Sequence, residues 1–153
     1  MEITVAQGDI GQQEVDAIIV NLFEDVSISG STTGEIDKLL GGAISDLIAD
    51  GEMTGTKGEI TVIHTLGKIP PKRVILLGLG KISNFNTNVV RWVSGVVARH
   101  IRRIGATEVS TMVHGDGIRG LDPQQAAGAM VEGILLGLYK FDKYKTNKGK
   151  TGS

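Results

Sequence analysis

The segment from Val15 to Val20 constrains the fold more than any other part of this 153-residue chain. Apart from Asp16 it is entirely apolar, which is typical of a β-strand that is buried on both faces. Such a strand needs a covering layer of secondary structure on each side. The segment therefore favours an α/β domain, provided that amphipathic helices lie elsewhere in the chain.

Three later segments have the spacing and end signals of helices. Thr32 and Glu35 form a capping box, in which a hydroxyl and a carboxylate accept bonds from free backbone N–H groups, and Gly51 is placed to end this helix. A second helix is predicted over residues 87–104. A third opens at Asp122-Pro123, an N-cap followed by proline at the first helical position.

The apolar residues of the first and third helices fall at helical spacing. The first stripe is Ile36, Leu39, Leu40, Ala43, Ile44, Leu47 and Ile48. The third is Ala127, Met130, Val131, Ile134, Leu135 and Leu138, all predicted to face inward. The third helix also contains Gly128, Gly133 and Gly137, which would weaken a free helix and are expected to lie tight against a sheet.

Strands are predicted at residues 3–5, 15–20, 59–66, 73–79 and 108–114. Their order among the helices predicts a three-layer αβα sandwich with a mixed, mostly parallel sheet. We expect this domain to cover residues 1–141. Residues 142–153 are polar and rich in lysine, and they have the composition of a linker or tail.

Composition excludes several classes of function. The formal net charge of −1 gives no overall field that would steer the chain toward nucleic acid or a membrane. The absence of cysteine excludes a disulfide framework, a thiolate zinc site and a cysteine nucleophile. No apolar run reaches membrane-spanning length and the N-terminus has no signal-peptide pattern, so a cytoplasmic location is expected.

Three stretches of the sequence resemble the N-terminal domain of the leucyl (cytosol) aminopeptidases. They are the segment from Asp16 to Asp25, the segment from Gly58 to Lys81 that ends in Gly-Leu-Gly-Lys, and the segment from Glu132 to Thr146 that contains Tyr-x-Phe-x-x-Tyr-Lys-Thr. The resemblance implies a parent enzyme with two divalent metal ions, Zn or Mn, that is usually hexameric. It implies that the metal ligands and catalytic residues lie in a C-terminal domain after Thr146. This chain would then hold no catalytic residue and no cofactor, and would serve assembly or regulation.

The sequence is also similar to the macro domains, which share this fold and bind ADP-ribose. Gln7-Gly8-Asp9-Ile10 resembles the macro opening, so the resemblance implies that Asp9, beside Ile10, would bind the adenine amino group. The loop with Gly115, Gly117, Ile118, Arg119 and Gly120 resembles the macro loop around the diphosphate. Backbone N–H groups of such a loop, which leads into a helix N-terminus, suit an anion. The segment from Gly30 to Gly34 is a candidate second cradle.

The sequence departs from the macro pattern in one strand. Val20 stands where macro domains have an asparagine, and Asn21 comes one residue later, which would place its side chain on the other face of the strand. Macro domains have a second asparagine, implicated in hydrolysis, that has no clear counterpart in this sequence. Counted along the chain, Glu24 is the residue nearest to its position. The resemblance therefore favours binding of ADP-ribose over its hydrolysis.

Each candidate site residue also has a structural interpretation. Asp9 can cap a turn, and the two glycine loops can be plain connections. His64, His100 and His114 lack metal-ligand spacing and are expected to be structural. Arg99, Arg102 and Arg103 form a basic patch that complements a helix C-terminus and is expected to be solvated, with DNA binding as the alternative. Trp92 is expected to serve packing or an interface.

Overall fold

The computed structural model describes the backbone of residues 1–6, 8–112 and 121–150, with side chains as far as Tyr139. Five strands form one sheet in the order β1-β5-β2-β4-β3. They are β1 (Glu2–Val5), β2 (Ala17–Phe23), β3 (Ile60–His64), β4 (Arg73–Gly80) and β5 (Glu108–Thr111). Only β3 runs antiparallel to its neighbour, so the mixed, mostly parallel sheet predicted from the sequence is confirmed.

The strand β2 lies in the middle of the sheet, paired with β5 on one side and β4 on the other. Its alternate residues belong to two separate apolar clusters. Ile18 packs with residues of α1 (Thr32–Leu39) and α2 (Ala43–Ala49), whereas Ile19 packs with residues of α3 (Thr87–Ile104). Helices therefore cover both faces, as the nearly continuous apolar run of this strand predicts.

The region predicted as one helix between Thr32 and Gly51 is two short helices. Gly41 and Gly42 both adopt positive φ, at 68° and 88°, and break the helix between α1 and α2. The cap is also one residue earlier than predicted, because the Ser31 hydroxyl, not that of Thr32, accepts from the Gly34 N–H. Asp37 stabilises the start of α2, since its carboxylate accepts bonds from the Ile44 and Ser45 N–H groups.

The last helix, α4 (Pro123–Lys150), begins as predicted, with the Asp122 carboxylate accepting from the Gln124 N–H. Its buried face differs from the prediction. Met130 is buried, but Val131 and Leu135 are exposed. The helix also continues to Lys150, through residues whose composition predicted a linker.

The glycines of α4 explain why its inward face was assigned wrongly. A Cβ atom at Gly137 would lie 2.7 Å from the Cα of Gly95 in α3, and one at Gly133 would collide with the carbonyl oxygen of Arg91. These glycines lie against α3, and not against the sheet as predicted. The helix therefore turns Gly133 and Gly137 toward α3, while Val131 and Leu135 lie on its outer side.

Candidate functional site

The sheet order brings the predicted binding loops to one edge of the molecule. The strands β1, β5 and β2 are parallel neighbours, so their carboxyl ends lie side by side. Asp9 follows β1 in the chain and the Gly30–Gly34 segment follows β2. In open α/β sheets this edge is the usual place for a ligand. The third predicted loop follows β5 in sequence, and it contains Gly115, Gly117, Ile118, Arg119 and Gly120. This loop lies outside the described residues, as do Gln7 and His114.

Asp9 is an exposed cap of a short 3-10 helix, Ile10–Gln12. Its Oδ1 accepts from the Gly11 N–H at 3.1 Å, and no described residue bonds to its Oδ2. Ile10 is 1% exposed and packs in the core with Ile36, which fixes the loop against α1. The structural interpretation of Asp9 therefore holds for one carboxylate oxygen, and the side chain as a whole is exposed.

The segment from Gly30 to Gly34 is a turn that continues into the first turn of α1. The Ser31 hydroxyl donates to the Ile28 carbonyl oxygen, and a Cβ at Gly34 would collide with that same oxygen. Gly34 is therefore needed for a close approach of backbone to backbone. Its N–H is already bonded to Ser31, so it is not a free anion donor. Gly30 adopts φ 77° at an open position of the turn.

The one-residue shift of asparagine in β2 has the predicted geometric effect. Val20 lies in the cluster with α1 and α2, on the same face as Ile18. Because successive side chains of a strand alternate, Asn21 points toward the α3 layer. The Asn21 carbonyl oxygen accepts from the Thr33 hydroxyl, which ties β2 to the first turn of α1.

The Gly-Leu-Gly motif at residues 78–80 is the end of β4, and its glycines serve chain packing. A Cβ at Gly78 would collide with the Thr56 carbonyl oxygen. The N–H of Gly80 donates to the carbonyl oxygen of Gly55 at 2.8 Å. The two glycines let the segment before β3 lie directly on the end of β4. The motif is thus explained by backbone contact without any phosphate.

Asp16 lies at the amino end of β2, away from these loops. Its Oδ2 accepts bonds from the N–H groups of Thr107 and Glu108 and from the Thr107 hydroxyl. The hydroxyl bond foremost, then the two N–H bonds, lower the pKa of this carboxyl from 3.8 to about 2. Lys72 is 4.0 Å away and adds a small attraction. Asp16 therefore joins the amino ends of two parallel strands.

The remaining titratable candidates, as far as the structure describes them, do not form a metal site. Among the described residues, no group of three or more His, Cys, Asp or Glu side chains lies close enough together to bind a metal ion. His64 is exposed at the end of β3. The Arg103 guanidinium donates to His100 Nδ1 at 2.9 Å, and burial, with the nearby Arg103 charge, lowers the pKa of the imidazole.

The structure shows two surface clefts that the sequence did not predict. One, of about 380 Å³, opens between the loop after β2 and α2, and is lined by apolar groups that include Val26, Ile28 and Ile48. Neither Asp9 nor Gly30 lines it. The other, also about 380 Å³, lies between α3 and α4 beside Trp92. The sequence contained two signals for these clefts. One was the apolar residues of a turn-rich loop, and the other was Trp92 beside the apolar stripe of a helix.

Comparison with known proteins assigns the domain. The profile of the cytosol aminopeptidase family, N-terminal domain, matches residues 19–148, which is most of the chain. The chain belongs to the cytosol aminopeptidase family. It is 34% identical over 151 residues to a probable cytosol aminopeptidase of Geobacter sulfurreducens, and 36% identical over 146 residues to one of Alkaliphilus metalliredigens.

The chain spans under a third of these relatives. It is covered to 99% and 95%, but it accounts for only 30% and 29% of their lengths. Among solved structures, tomato leucine aminopeptidase is likewise matched over less than a third of its own chain. A mutant of that enzyme superposes with a TM-score of 0.69 at 18% identity, over 90% of this chain and 28% of the other.

Macrodomains share the fold. The macrodomain of Mycobacterium tuberculosis DarG superposes with a TM-score of 0.71 at 18% identity. The superposition covers 88% of this chain and 91% of the macrodomain. The family and fold predicted from the sequence are thereby confirmed. Within the described part of the chain, no helix has the length and hydropathy needed to cross a bilayer.

Proposed function

We propose that this chain is the accessory domain of a cytoplasmic metal-dependent leucyl aminopeptidase, and that it contributes to assembly or regulation without performing peptide hydrolysis. The observation that supports this most directly is the match to the family's N-terminal domain over residues 19–148, together with a span of only about 30% of the relatives. A domain that follows it in the polypeptide would then hold the catalytic residues.

The metal ions of such an enzyme belong, in this proposal, to that following domain. Two Zn or Mn ions would polarise the peptide carbonyl and activate water there. The described residues of this chain do not fit a metal pair, because they bring no three suitable side chains together. The proposed role here is to hold and orient other parts of an oligomer, hexameric in the parent.

Hydrolysis of a leucyl amide tests this proposal. The purified 153-residue chain, incubated with Mn²⁺ or Zn²⁺, should release no product above buffer, whereas a full-length relative such as the Geobacter sulfurreducens protein should be active in the same assay. Metal-dependent turnover that co-purifies with the chain and disappears with its removal by antibody would refute the proposal.

A second candidate function is the binding of ADP-ribose or a similar nucleoside diphosphate. It is favoured by the exposed carboxylate of Asp9, which follows β1 at the carboxyl ends of three adjacent parallel strands and has no described partner on Oδ2. The adenine amino group would donate to Asp9, and the loop from Gly115 to Gly120 would bind the diphosphate. Hydrolysis of ADP-ribose is not proposed, since Val20 stands in place of the macro asparagine.

Calorimetry distinguishes this second function. If it is correct, ADP-ribose binds the wild-type chain, and Asp9→Asn weakens binding about tenfold or more because the amide replaces a charged acceptor. Asp25→Asn, at another exposed carboxylate after β2, is the matched control and should bind as wild type does. No heat of binding at millimolar ligand would exclude this function.

A further inference from the structure

The outer face of α4 is apolar where a surface helix is normally polar. Val131, Leu135, Leu136 and Tyr139 are all about half exposed or more. At about 100° per residue, they fall in one arc of about 140° on the helix, and the exposed Glu132 lies within the same arc. A cluster of exposed apolar groups of this kind marks an interaction surface.

Trp92 extends this surface across the groove between α3 and α4. The groove has a floor of backbone, since Gly95, Gly133 and Gly137 meet there without side chains. Trp92 and Leu136 line it. A groove between two helices is the shape that receives a third helix, whose side-chain ridge fits between them. From here on, the outer face means this whole surface on both helices. Its residues are Trp92 of α3 and Val131, Leu135, Leu136 and Tyr139 of α4.

Trp92 is held in place before any partner arrives. Its ring lies against Gly58, where an added Cβ would come within 2.5 Å of it, and the Lys57 ammonium lies 5.0 Å from the ring centroid. The residue is nevertheless half exposed. A rigid, partly exposed tryptophan loses little side-chain entropy on binding, and such residues dominate the energetics of interfaces.

The charges around the outer face are mostly positive. Lys57 lies over Trp92, Arg91 bonds to Glu132 at 3.1 Å, and Arg99 lines the groove. Among the described residues Arg99 forms no ion pair, so Glu132 compensates only one of the three cations. A symmetric contact with a second copy would bring these cations together, which disfavours self-association. A nucleic acid would match the charge but not the apolar arc.

We propose that the outer face binds an acidic amphipathic helix of a partner protein. Leucine or aromatic side chains of that helix would fill the groove between Trp92 and Leu136. Its carboxylates would pair with Arg99 and lie near Lys57. This recognition mode, in which the apolar face of a helix lies in a hydrophobic groove, recurs in many protein complexes. The proposal does not use the ADP-ribose assignment, and it assigns the outer face to a separate protein rather than to the domain that would follow α4.

Two matched synthetic helices test it against the 153-residue chain. Both have about 18 residues with leucines at helical spacing; one has glutamates and the other lysines on its polar face. Fluorescence anisotropy should show the acidic helix binding at least about tenfold more tightly than the basic one. The NMR signal of the Trp92 indole should shift during titration.

Variants locate the binding surface. Arg99→Glu should reduce the preference for the acidic helix, and Leu135→Ser should weaken binding about fivefold or more. Leu66→Ser is the matched control, because Leu66 is 87% exposed and follows β3, whereas Gly58 beside Trp92 precedes it. The Leu66→Ser variant should bind the acidic helix as wild type does. Thermal unfolding checks that each variant folds.

Several results would overturn the proposal. Equal affinity for the two helices, or an equal effect of Leu66→Ser and Leu135→Ser, would remove the outer face as the site. Sedimentation equilibrium that shows a dimer dissociated by Leu135→Ser would assign the face to a second copy. Tighter binding of a single-stranded oligonucleotide, lost in Arg99→Glu, would assign it to nucleic acid.

Discussion

At the scale of single residues, the same residue type has different roles at the two ends of the sheet. Asp9, at the carboxyl ends of the strands, uses one oxygen in a local cap, and no described residue bonds to the other. Asp16, at the amino ends, has three donors on one oxygen. Hydrogen bonds to a carboxylate favour its charged form, so folding stabilises the ionised state of Asp16.

The low pKa of Asp16 predicts a specific pH dependence of stability. Because the pKa of its carboxyl falls from 3.8 to about 2 on folding, its contribution is present above about pH 4 and is lost as the pH falls toward 2. Asp16→Asn should therefore unfold at lower urea concentration than wild type at pH 6, with the difference shrinking below pH 4. A pH-independent difference between the two proteins would contradict this.

At the scale of elements, the crossing of α3 and α4 depends on glycine rather than on large apolar residues. The helices approach so closely at Gly95, Gly133 and Gly137 that a methyl group would meet backbone. This contact fixes the rotation of α4 about its axis. The rotation in turn places Leu135 and Tyr139 on the outside, which creates the outer face.

Alanine substitutions at two glycines of α4 should have opposite effects. Gly133→Ala should destabilise the protein by about 1–3 kcal/mol, because the methyl group collides with the Arg91 carbonyl oxygen and forces the helices apart. Gly128→Ala should stabilise it by about 0.5–1 kcal/mol, since a Cβ there meets open space and alanine favours the helix. Urea denaturation measures both changes, and effects of the same sign would count against the glycine crossing.

At the scale of the whole molecule, the sheet joins two apolar layers. The strand β4 contributes Leu76 to the cluster with α1 and α2, and Leu77 to the cluster with α3. Neighbouring residues of one buried strand thus belong to opposite sides of the domain. Because both layers pack on the same strands, we expect them to unfold together.

A substitution in one layer should be detected by a probe in the other. Leu76→Ala should cost about 2–5 kcal/mol, and it should shift the Trp92 fluorescence transition and the far-UV circular dichroism transition by the same amount. Trp92 lies on α3, on the opposite side of the sheet. A fluorescence midpoint that stays at the wild-type value would show that the layers unfold independently.

The sequence by itself determined the fold class, the family and most element positions. The apolar run from Val15 to Val20 required helices on both faces, and α3 spans the predicted residues 87–104. These features depend on local periodicity and end signals, which the sequence contains directly. The break at Gly41 and Gly42 was missed because the helical spacing of apolar residues continues across it, from Leu40 to Ala43 and Ile44.

Only the tertiary structure decided which side of α4 is buried and which loops lie together. The apolar pattern alone indicated Val131 and Leu135 as inward, but van der Waals contact between two backbones at Gly95, Gly133 and Gly137 turned them outward. Likewise, the position of the loops after β1 and β2 at one edge follows from the strand order β1-β5-β2. Both depend on contacts between residues far apart in the chain, which local sequence patterns do not specify.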